Sequence, residues 1–393
     1  MSPRHYAASV PTTYIIGAGP IGLAAAAGLQ HGTSDDIVLL EKRPAYSRER
    51  KVTLSHFLLA EQVGDYTAED MDADDIRAIF RQDDLDDLLA SKRLIPPQVA
   101  SLMRDIGTSF VALNSIEEAL SAIVSQGRPI DRRGVDVTLD DLESLVRPGD
   151  TVLDATGRNS LTRDSLLGHD NTLEFVVEYA VVASFTIDAD HVCTSQCKWS
   201  GSIGNDLYDF IPSVRRSHTV AGRTVVVGIV EIEHAEFTRL PRALDDQWLE
   251  SGDPVAEGIR RYLQHHAELD IDAHPSVLSI MTLPLNLYCA RRFTNAHDHR
   301  IGDVPDVSVL LLGDAAIGSP YFQSISLGLE SAFFLTARIQ RQAAPSALLA
   351  DYERFMEHQW LRVYMRSRSI KANKDVLTFV DDIPGLLDRL YVY

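Results

Sequence analysis

The sequence is poor in cysteine, in basic residues and in long apolar runs, and each shortage excludes a class of protein. Its three cysteines, Cys193, Cys197 and Cys289, are too few for a disulfide framework and have poor metal-ligand spacing. Lysine and arginine number 37 against 56 acidic residues, and the net charge of −19 disfavours nucleic acid or an anionic membrane surface as a partner. No apolar run approaches the roughly 18 residues that span a bilayer, and no signal-peptide pattern is present, so we expect a cytoplasmic protein.

Other patterns that would identify a site are missing as well. No nucleophile-elbow glycine pattern surrounds Ser160 or His56, so a hydrolase is not indicated. His297 and His299 have metal-like spacing but no third ligand, and we expect surface histidines and no metal site. What remains is an ordinary globular composition, 45% hydrophobic and 24% charged, in a chain of 393 residues that predicts two or three domains.

The most informative stretch starts with a short apolar run, Tyr14 to Ile16, which predicts a buried strand. Gly17-x-Gly19-x-x-Gly22 and an alanine-rich predicted helix follow it. Gly17 permits a tight turn, Gly19 lets the backbone approach a pyrophosphate, and Gly22 lets the helix pack closely on the sheet. The start of the helix would offer free N–H groups and partial positive charge to phosphates.

A second apolar run, Ile37 to Leu40, ends in Glu41, whose carboxylate can accept hydrogen bonds from both ribose hydroxyls of an adenosine. The order of strand, glycine triplet, helix, strand and acid predicts a dinucleotide-binding unit. It leaves NAD and FAD as alternatives. The basic loop after Glu41 contains Arg48 and Arg50, either of which could fold back toward the cofactor.

Downstream patterns predict a continuation of this α/β arrangement. Residues 65–87 predict one or two amphipathic helices with a solvated acidic face. A further helix is predicted over Pro97–Ile106, where Pro96-Pro97 is the start signal. Strands are predicted over Ser109–Leu113 and Thr151–Asp154, the latter followed by a turn that contains Gly157.

The pattern then changes to β-branched residues in alternation. Residues 173–187 and 207–232 predict an antiparallel sheet with one covered face, interrupted by helices near 241–250 and 254–267. A central strand ending in a Gly-Asp turn is predicted within 307–316. Helices are then predicted over 323–340 and throughout the region that begins at Pro345.

Three segments that are far apart in sequence now line up: Gly17–Gly22 with Glu41, Asp154–Ser160, and Gly313–Asp314. Their order resembles that of the FAD-dependent aromatic hydroxylases, the flavoprotein monooxygenases of the p-hydroxybenzoate hydroxylase type. The most specific match is the stretch from Ala290-Arg291-Arg292-Phe293 to Gly313-Asp314-Ala315-Ala316 and Pro320. The family's aspartate hydrogen-bonds the flavin ribitol, and its next helix points its N-terminus at the isoalloxazine. The resemblance gives Asp314 that role.

The middle segment, with Arg163, is similar to the family's Asp-Gly fingerprint, which touches FAD and the nicotinamide cofactor. Thr156 stands where that fingerprint has its aspartate, and Ile317 stands where the family has a histidine after Gly-Asp-Ala-Ala. The family's Gly-Gln-Gly loop is replaced by Gln323–Leu327. These departures are compatible with FAD binding. They leave a separate flavin reductase as an alternative source of electrons.

The resemblance implies an enzyme, an FAD-dependent monooxygenase of secondary metabolite biosynthesis. It would hydroxylate or epoxidise a small aromatic or polyketide- or terpenoid-like substrate through a flavin C4a-hydroperoxide, with molecular oxygen and NADPH or NADH. Arg48 and Arg50 are its candidate catalytic residues, which could hold the flavin ring or gate its movement. Two alternatives stay open: an FAD-dependent dehydrogenase or reductase that inserts no oxygen, and a non-redox cyclase with structural FAD.

The fold that the resemblance implies is α/β: a Rossmann-like FAD-binding domain, an inserted, mainly antiparallel β-sheet domain for the substrate, and a helical C-terminus. The predicted bounds are 1–164 for the first part of the FAD-binding domain, 165–290 for the substrate domain, 291–344 for the returning segment, and 345–393 for the helical region. The predicted cofactor-binding residues are Gly17, Gly19, Pro20, Ile21, Gly22, Glu41, Lys42, Arg43, Arg50, Asp154, Gly157, Gly313, Asp314, Ala315 and Pro320.

Overall fold

Short strands alternate with helices through the first part of the chain, and the longest strands and helices follow. The structure, a computed structural model, describes residues 10–48, 51–52, 54–66, 73–107, 111–188, 219–220, 223–257, 260, 276–320, 323–341 and 343–390. Its strands are β1 (Thr12–Ile16), β2 (Asp36–Leu40), β3 (Lys51–Val52), β4 (Val111–Ala112), β5 (Asp131–Arg133), β6 (Thr151–Asp154), β7 (Thr172–Asp188), β8 (Thr219–Val220), β9 (Arg223–Ile232), β10 (Ala243–Leu244), β11 (Ser276–Ala290), β12 (Arg300–Ile301), β13 (Val304–Pro305), β14 (Ser308–Leu311) and β15 (Ile317–Gly318).

The helices include two that are much longer than the rest. The two longest are the last two in the following list. The helices are α1 (Pro20–Gly32), α2 (Ala73–Ile79), α3 (Gln82–Lys92), α4 (Pro97–Ile106), α5 (Leu113–Gln126), α6 (Leu139–Leu145), α7 (Arg163–Leu166), α8 (His234–Arg239), α9 (Asp246–Leu249), α10 (Gln323–Gln340) and α11 (Pro345–Leu390). Single 3₁₀ turns lie at His56–Leu59, Val63–Tyr66 and Gly313–Ala315. The chain divides into two compact units, Met1–Glu174 with Tyr288–Arg366, and Phe175–Leu287 with Ser367–Tyr393.

The first unit is built on a five-stranded sheet in the order β14-β6-β1-β2-β5, in which all neighbours are parallel. Nearly every residue of β1, β2, β6 and β14 is buried, as expected for a parallel sheet covered on both faces. Ile16 lies opposite Leu40 and Asp154, and Asp154 lies opposite Leu311. Four strands therefore end at one level, and the segments that follow them meet at one edge of the sheet.

The strand predicted within 307–316 is present as β14, but the prediction that it is central was wrong. Within the described residues β14 is one of the two edge strands of the sheet. Its outer side is covered by the segment that contains Phe293 and Asn295: Leu311 N donates to Phe293 O, and Asn295 bonds Val309 through both backbone and side chain. This cover explains why β14 is as apolar as a central strand.

Helix α1 packs against helices α5 and α10. Its alanine run, Ala24 to Ala27, is buried. A Cβ built on Gly28 would lie 2.8 Å from Thr336 Oγ1, and Gln340 Nε2 donates to Gly28 O at 2.8 Å. Small residues on α1 thus allow α10 to approach closely, which holds α10 beside the glycine turn.

Two predicted helices, Pro97–Ile106 and 323–340, are confirmed with the same bounds, and the region from Pro345 is helical through Leu390. The predicted strand Ser109–Leu113 was wrong at its end. Only Val111–Ala112 is a strand among the described residues, and Leu113 begins α5. The helix forms there because Ile116, Leu120 and Val124 recur every four residues and are all buried.

The predicted helices within 65–87 are present as α2 and α3, but their acidic face is not wholly solvated. Asp84 is buried, and the Arg354 guanidinium donates to both of its carboxylate oxygens, with distances of 2.6–2.9 Å. A bidentate arginine compensates the loss of water around a buried carboxylate.

The second unit contains a long antiparallel pair. Strands β7 and β9 pair from Tyr179–Ile232 to Asp188–Arg223, in a sheet of order β10-β11-β7-β9-β8. This confirms the predicted antiparallel sheet for the described residues; 207–218 and 221–222 lie outside them. The helix predicted near 241–250 was too long, because Ala243–Leu244 pairs with β11 and only Asp246–Leu249 is helical. Of the helix predicted over 254–267, residues 254–257 and 260 are helical, and 258–259 and 261–267 lie outside the described residues.

No helix in the described part of the chain is both long and apolar enough to cross a membrane.

Candidate functional site

The glycine turn between β1 and α1 is held by backbone contacts that exclude side chains. Gly17 has φ +98°, and a Cβ on it would lie 2.6 Å from Ala155 O. A Cβ on Gly22 would lie 1.9 Å from Gly17 O. Pro20 begins α1, at a position where the missing N–H costs no helical hydrogen bond. The turn therefore sets the start of α1 at the edge where the strands end.

Glu41, which follows β2, is fixed against this turn. Its carboxylate accepts from Ala18 N and Arg43 N, both at 2.8 Å, and from the Arg43 guanidinium at 3.0 and 3.1 Å. Burial opposes ionisation, but the hydrogen bonds from Arg43 and Ala18 outweigh it and hold the pKa of the Glu41 carboxyl below its usual value. Glu41 is therefore an ionised acceptor beside the glycine turn.

A second acid, Glu117 on α5, lies in the same place and is fully buried. Its Oε1 accepts from Arg43 Nη2 at 3.2 Å and from Arg48 Nη2. Its Oε2 is also buried and has no hydrogen-bond partner among the described residues. Glu41, Arg43, Glu117 and Arg48 thus form a chain of alternating charges, the glycine-turn charge cluster.

Gly19 lies directly beneath this cluster. A Cβ on Gly19 would lie 3.2 Å from Arg48 Nη2 and 3.9 Å from Glu117 Oε1. The backbone of Arg48 is held as well, because Asn114 N donates to Arg48 O at 2.9 Å. Arg48, one of the two arginines predicted to fold back, is thus brought to the glycine turn. Arg50, the other, lies outside the described residues.

Asp154 is fully buried at the end of β6, and its carboxylate organises the loop that follows. It accepts from the backbone N–H groups of Thr156 and Thr162 at 2.9 Å and from the hydroxyls of Thr156, Ser160 and Thr162. Gly157, in the same loop, has φ +87°, and no described atom lies within 4 Å of a Cβ built on it. The loop therefore has a fixed base at Asp154 and open space at Gly157.

The turn after β14 packs on the first turn of α1. Gly313 has φ +57°, and a Cβ on it would lie 2.9 Å from Ile21 Cγ1. A Cβ on Gly328 of α10 would lie 2.8 Å from Ile21 Cδ1. Ile21 thus joins the glycine turn, the Gly313 turn and α10. The side chain of Asp314 is exposed at this turn, while Ala315 and Pro320 are buried.

Arg163 and Tyr288 tie the Asp154 loop to the Gly313 turn. The Arg163 guanidinium donates to Arg158 O at 2.8 Å and to Ala315 O at 3.2 Å. The Tyr288 hydroxyl donates to Asp314 O at 2.9 Å. Burial, with the nearby Asp314 charge, raises the pKa of Tyr288, so the phenol stays protonated and keeps this bond.

Several residues singled out in the sequence lie elsewhere or are inert. Lys42 pairs with Asp136 at 3.6 Å, and both side chains are largely exposed. Cys289 is buried, which raises the pKa of its thiol to about 12 and makes it a poor nucleophile. No group of metal-ligating side chains occurs in the part of the chain that the structure describes, and that part includes His297 and His299.

Glu117 was missed in the sequence because α5 was missed. The signal was available: Ile116, Leu120 and Val124 mark the buried face of a helix, and Glu117 is adjacent to that face. A glutamate beside the apolar stripe of a helix is ordinarily assigned to solvent. Only the fold brings two arginines to it.

The residues at this edge fit a dinucleotide. Gly19 leaves room for a close approach to the backbone, the start of α1 offers N–H groups, and Arg48 lies over the same point. Glu41 and Asp314 are carboxylates suited to sugar hydroxyls. The donors suit a diphosphate and the acceptors suit the sugars on either side of it.

Comparisons with known proteins bear on the fold. No model of a known protein family matches the chain, and no curated protein matches its sequence. Among solved structures, the Diels-Alderase PyrE3 of pyrroindomycin biosynthesis is similar with a TM-score of 0.53 and 17% identity, covering 97% of this chain and 77% of that one. CabE, an aromatic hydroxylase from angucycline biosynthesis, has a TM-score of 0.51 and 16% identity over 98% of this chain and 73% of that one.

BexE, studied for oxidation during BE-7585A biosynthesis, is similar to the same degree, with a TM-score of 0.51 and 16% identity over 98% of this chain and 74% of that one. At such identities the likeness shows the fold alone. The chain thus has the mixed α/β fold of these three proteins, with a parallel sheet and a separate antiparallel one.

Proposed function

We propose that this protein is an FAD-dependent monooxygenase that hydroxylates or epoxidises a small aromatic or polyketide- or terpenoid-like substrate with molecular oxygen and NADPH or NADH. The observation that carries the proposal is that three distant segments leave the parallel sheet at one level. They are the glycine turn, the Asp154 loop and the Gly313–Asp314 turn, and they are joined through Ile21 and Arg163.

The number of segments favours FAD over NAD. The glycine turn and the ribose acid of a βαβ unit bind the diphosphate and the adenosine of NAD and FAD alike, but a nicotinamide dinucleotide would not need the Asp154 and Asp314 segments. In this chain Arg163 bonds the Ala315 carbonyl, and Gly313 has a conformation that side chains rarely adopt and is packed on Ile21. Such construction suits a ligand that extends from Glu41 past Gly19 to Asp314.

The roles of the residues follow from their chemistry. Glu41 would bind the ribose hydroxyls of the adenosine. The α1 N-terminus and Arg48 would bind the diphosphate, and Asp314 would bind the ribitol. Bound FAD would supply the oxygen-activating redox chemistry, and the protein would supply binding, orientation and exclusion of water. The start of α10, which follows the Gly313 turn, would place partial positive charge near the flavin ring.

The fold does not choose between the monooxygenase and the cyclase, because both a Diels-Alderase and an aromatic hydroxylase have it. Thr156 and Ile317, which differ from the residues of the resembled family, both have a structural role. Thr156 bonds Asp154 through its N–H and its hydroxyl, where an aspartate would repel Asp154, and Ile317 is buried in β15. They therefore serve the packing of the site and do not argue against oxygen chemistry.

The experiment starts with purified protein loaded with FAD, to which NADPH or NADH is added without oxygen. Bleaching of the flavin band at about 450 nm shows direct reduction. Oxygen-18 gas is then admitted with 1-naphthol and related phenols as probes. Labelled oxygen in a hydroxylated product is the expected result. Reduction with oxidation of a probe but no label would indicate a dehydrogenase. Conversion of a probe to an unlabelled isomer of the same mass, while the flavin stays oxidised, would indicate a cyclase, and either outcome would overturn the proposal.

A further inference from the structure

The glycine-turn charge cluster contains a buried acceptor that no described group satisfies. Glu117 is fully buried, its Oε1 is shared by Arg43 and Arg48, and its Oε2 has no donor. A buried carboxylate oxygen without a donor is costly in a folded protein, so its retention calls for an explanation. The other oxygen, Glu117 Oε1, lies 3.9 Å from a Cβ built on Gly19, beside the glycine turn at which a dinucleotide would bind.

The arginine that Glu117 holds is fixed at both ends. Asn114 at the start of α5 binds the Arg48 carbonyl, and Glu117 one turn later binds its guanidinium. The guanidinium reaches Gly19 with one nitrogen, and the Arg48 side chain as a whole is nearly half exposed. Arginine has five N–H donors in a planar fork, so a guanidinium held at one corner can still present an edge to a phosphate.

We propose that Glu117 is a positioning residue for cofactor binding: it fixes Arg48 over Gly19 so that the guanidinium is already oriented to bind the diphosphate of the dinucleotide. The inference rests on the proposed function, because it needs a dinucleotide at the glycine turn. Holding Arg48 in place removes side-chain entropy before the ligand arrives, and preorganisation of this kind strengthens binding.

Electrostatic attraction and positioning of Arg48 predict opposite changes in FAD affinity when Glu117 loses its charge. Two carboxylates and two guanidinium groups leave the cluster neutral, so Glu117→Gln would add positive charge beside the diphosphate and strengthen its attraction. Positioning predicts the opposite: weaker binding by about tenfold, the size expected for loss of a charge-assisted hydrogen bond. Glu118→Gln is the matched control, because Glu118 is the exposed neighbour on the same helix and the variant removes the same charge.

The experiment measures the Kd for FAD by flavin fluorescence, and the Kd for ADP by competition, in four proteins: wild type, Glu117→Gln, Arg48→Met and the double variant. We expect each single change to weaken FAD and ADP binding by about tenfold, and the double variant to be no weaker than the worse single one. Arg48→Lys, which keeps the charge and loses the fork, should behave like Arg48→Met.

Melting of the FAD-free proteins separates this role from a structural one. Positioning predicts that Glu117→Gln changes the FAD-induced rise in Tm more than the Tm without FAD. If Glu117→Gln does not fold, the Arg48 variants still test the inference, because the Arg48 side chain is nearly half exposed and its replacement should leave the fold intact. If Arg48→Lys binds FAD as tightly as the wild type does, the orientation of the guanidinium does not matter and the inference is wrong. The inference is overturned if Glu117→Gln binds FAD more tightly than the wild type or equally well, or if the losses of the two single variants add up in the double variant. The proposed function would not be affected by these results. A wild type that binds neither FAD nor ADP overturns the proposed function with it.

Discussion

Two of the charge clusters in the first unit differ in how far their cations reach the surface. In the glycine-turn charge cluster the side chains of Arg43 and Arg48 are 30% and 45% exposed, around a Glu117 that is not exposed at all. A second cluster, the core charge cluster, joins Lys92, Glu330, Gln359 and Arg362. Its ionic side chains are at most 4% exposed.

The contacts of the core charge cluster are those of a structural element. Glu330 accepts from Lys92, from Gln359 at 2.6 Å and from Arg362 at 2.8 Å. Lys92 Nζ also donates to Phe57 O at 3.0 Å, and the Arg362 guanidinium lies 3.9 Å from the centre of the Phe57 ring. Burial opposes the charge on Glu330, but Lys92 and Arg362 outweigh it and lower the pKa of its carboxyl.

The comparison teaches that burial of a charge is by itself no sign of a binding site. Helices α3, α10 and α11 and the turn at His56–Leu59 all contribute to the core charge cluster, whose ionic side chains are closed to solvent. The glycine-turn charge cluster combines a buried acid with cations that a ligand can reach. We therefore expect changes in the core to alter stability, and changes at the glycine turn to alter cofactor affinity.

The largest expected effect is in the core. Glu330→Gln leaves Lys92 and Arg362 without their shared carboxylate, and it should lower the free energy of unfolding by about 3–5 kcal/mol. Urea denaturation of the FAD-free protein measures this. Glu357→Gln, an exposed glutamate on the same helix as Arg362, should stay within about 0.5 kcal/mol of the wild type. Equal losses for the two variants would mean that burial of the Glu330 charge is not what matters.

Gly19→Ala should weaken FAD binding and leave the stability of the FAD-free protein nearly unchanged. Its Cβ would meet only the end of the Arg48 side chain and a more distant Glu117 oxygen, so the fold should tolerate it. A diphosphate at the glycine turn would meet the same methyl group, and an overpacking cost of up to about 3 kcal/mol corresponds to about a hundredfold loss of FAD affinity. Calorimetric titration with FAD and urea denaturation measure the two quantities. Gly134→Ala, whose Cβ would meet no described atom within 4 Å, is the control. Undiminished FAD affinity in Gly19→Ala would show that the diphosphate lies elsewhere.

Asp314→Ala should weaken FAD binding by about tenfold, the value of one hydrogen bond to a charged group. Because the side chain is exposed, stability without FAD should change little. Asp154→Ala is the informative contrast, since that carboxylate bonds Thr156, Ser160 and Thr162 within its own loop. It should cost stability as well as affinity. If Asp314→Ala binds FAD as the wild type does, the ribitol role proposed for Asp314 is wrong.

The smallest effect concerns pH and Glu41. Because its pKa is lower in the folded than in the unfolded protein, its contribution to stability is complete above the ordinary value of about 4.3. It is lost as the pH falls through the lowered folded-state value. Glu41→Gln should therefore cost about 1 kcal/mol at neutral pH and less as the pH drops below about 4. Unfolding curves of both proteins from neutral to acid pH measure the difference. A gap that widens in acid would contradict the assignment.

Local patterns were sufficient for part of this fold. The apolar run before Gly17, the run that ends at Glu41 and the start signal at Pro97 correspond to β1, β2 and α4. They succeed because glycine spacing, continuous burial and proline act within one segment of chain.

The rest depends on contacts between segments. β14 is at the edge of the described sheet although it is as apolar as a central strand, because Phe293 and Asn295 cover it. Asp84 and Glu117 look like solvent-facing acids, and their burial depends on Arg354 and Arg48, which come from other segments. A pattern within one segment carries no information about a partner that folding supplies.

The most direct test of the account is the flavin content of the purified protein. After incubation with excess FAD and removal of the unbound fraction, absorbance should give one FAD per chain, and NAD should not displace it. Gly19→Ala and Asp314→Ala should retain clearly less. This result would support a single extended site along the strand ends of the parallel sheet. A protein that retains no FAD, or whose FAD is displaced by NAD, would contradict the central claim.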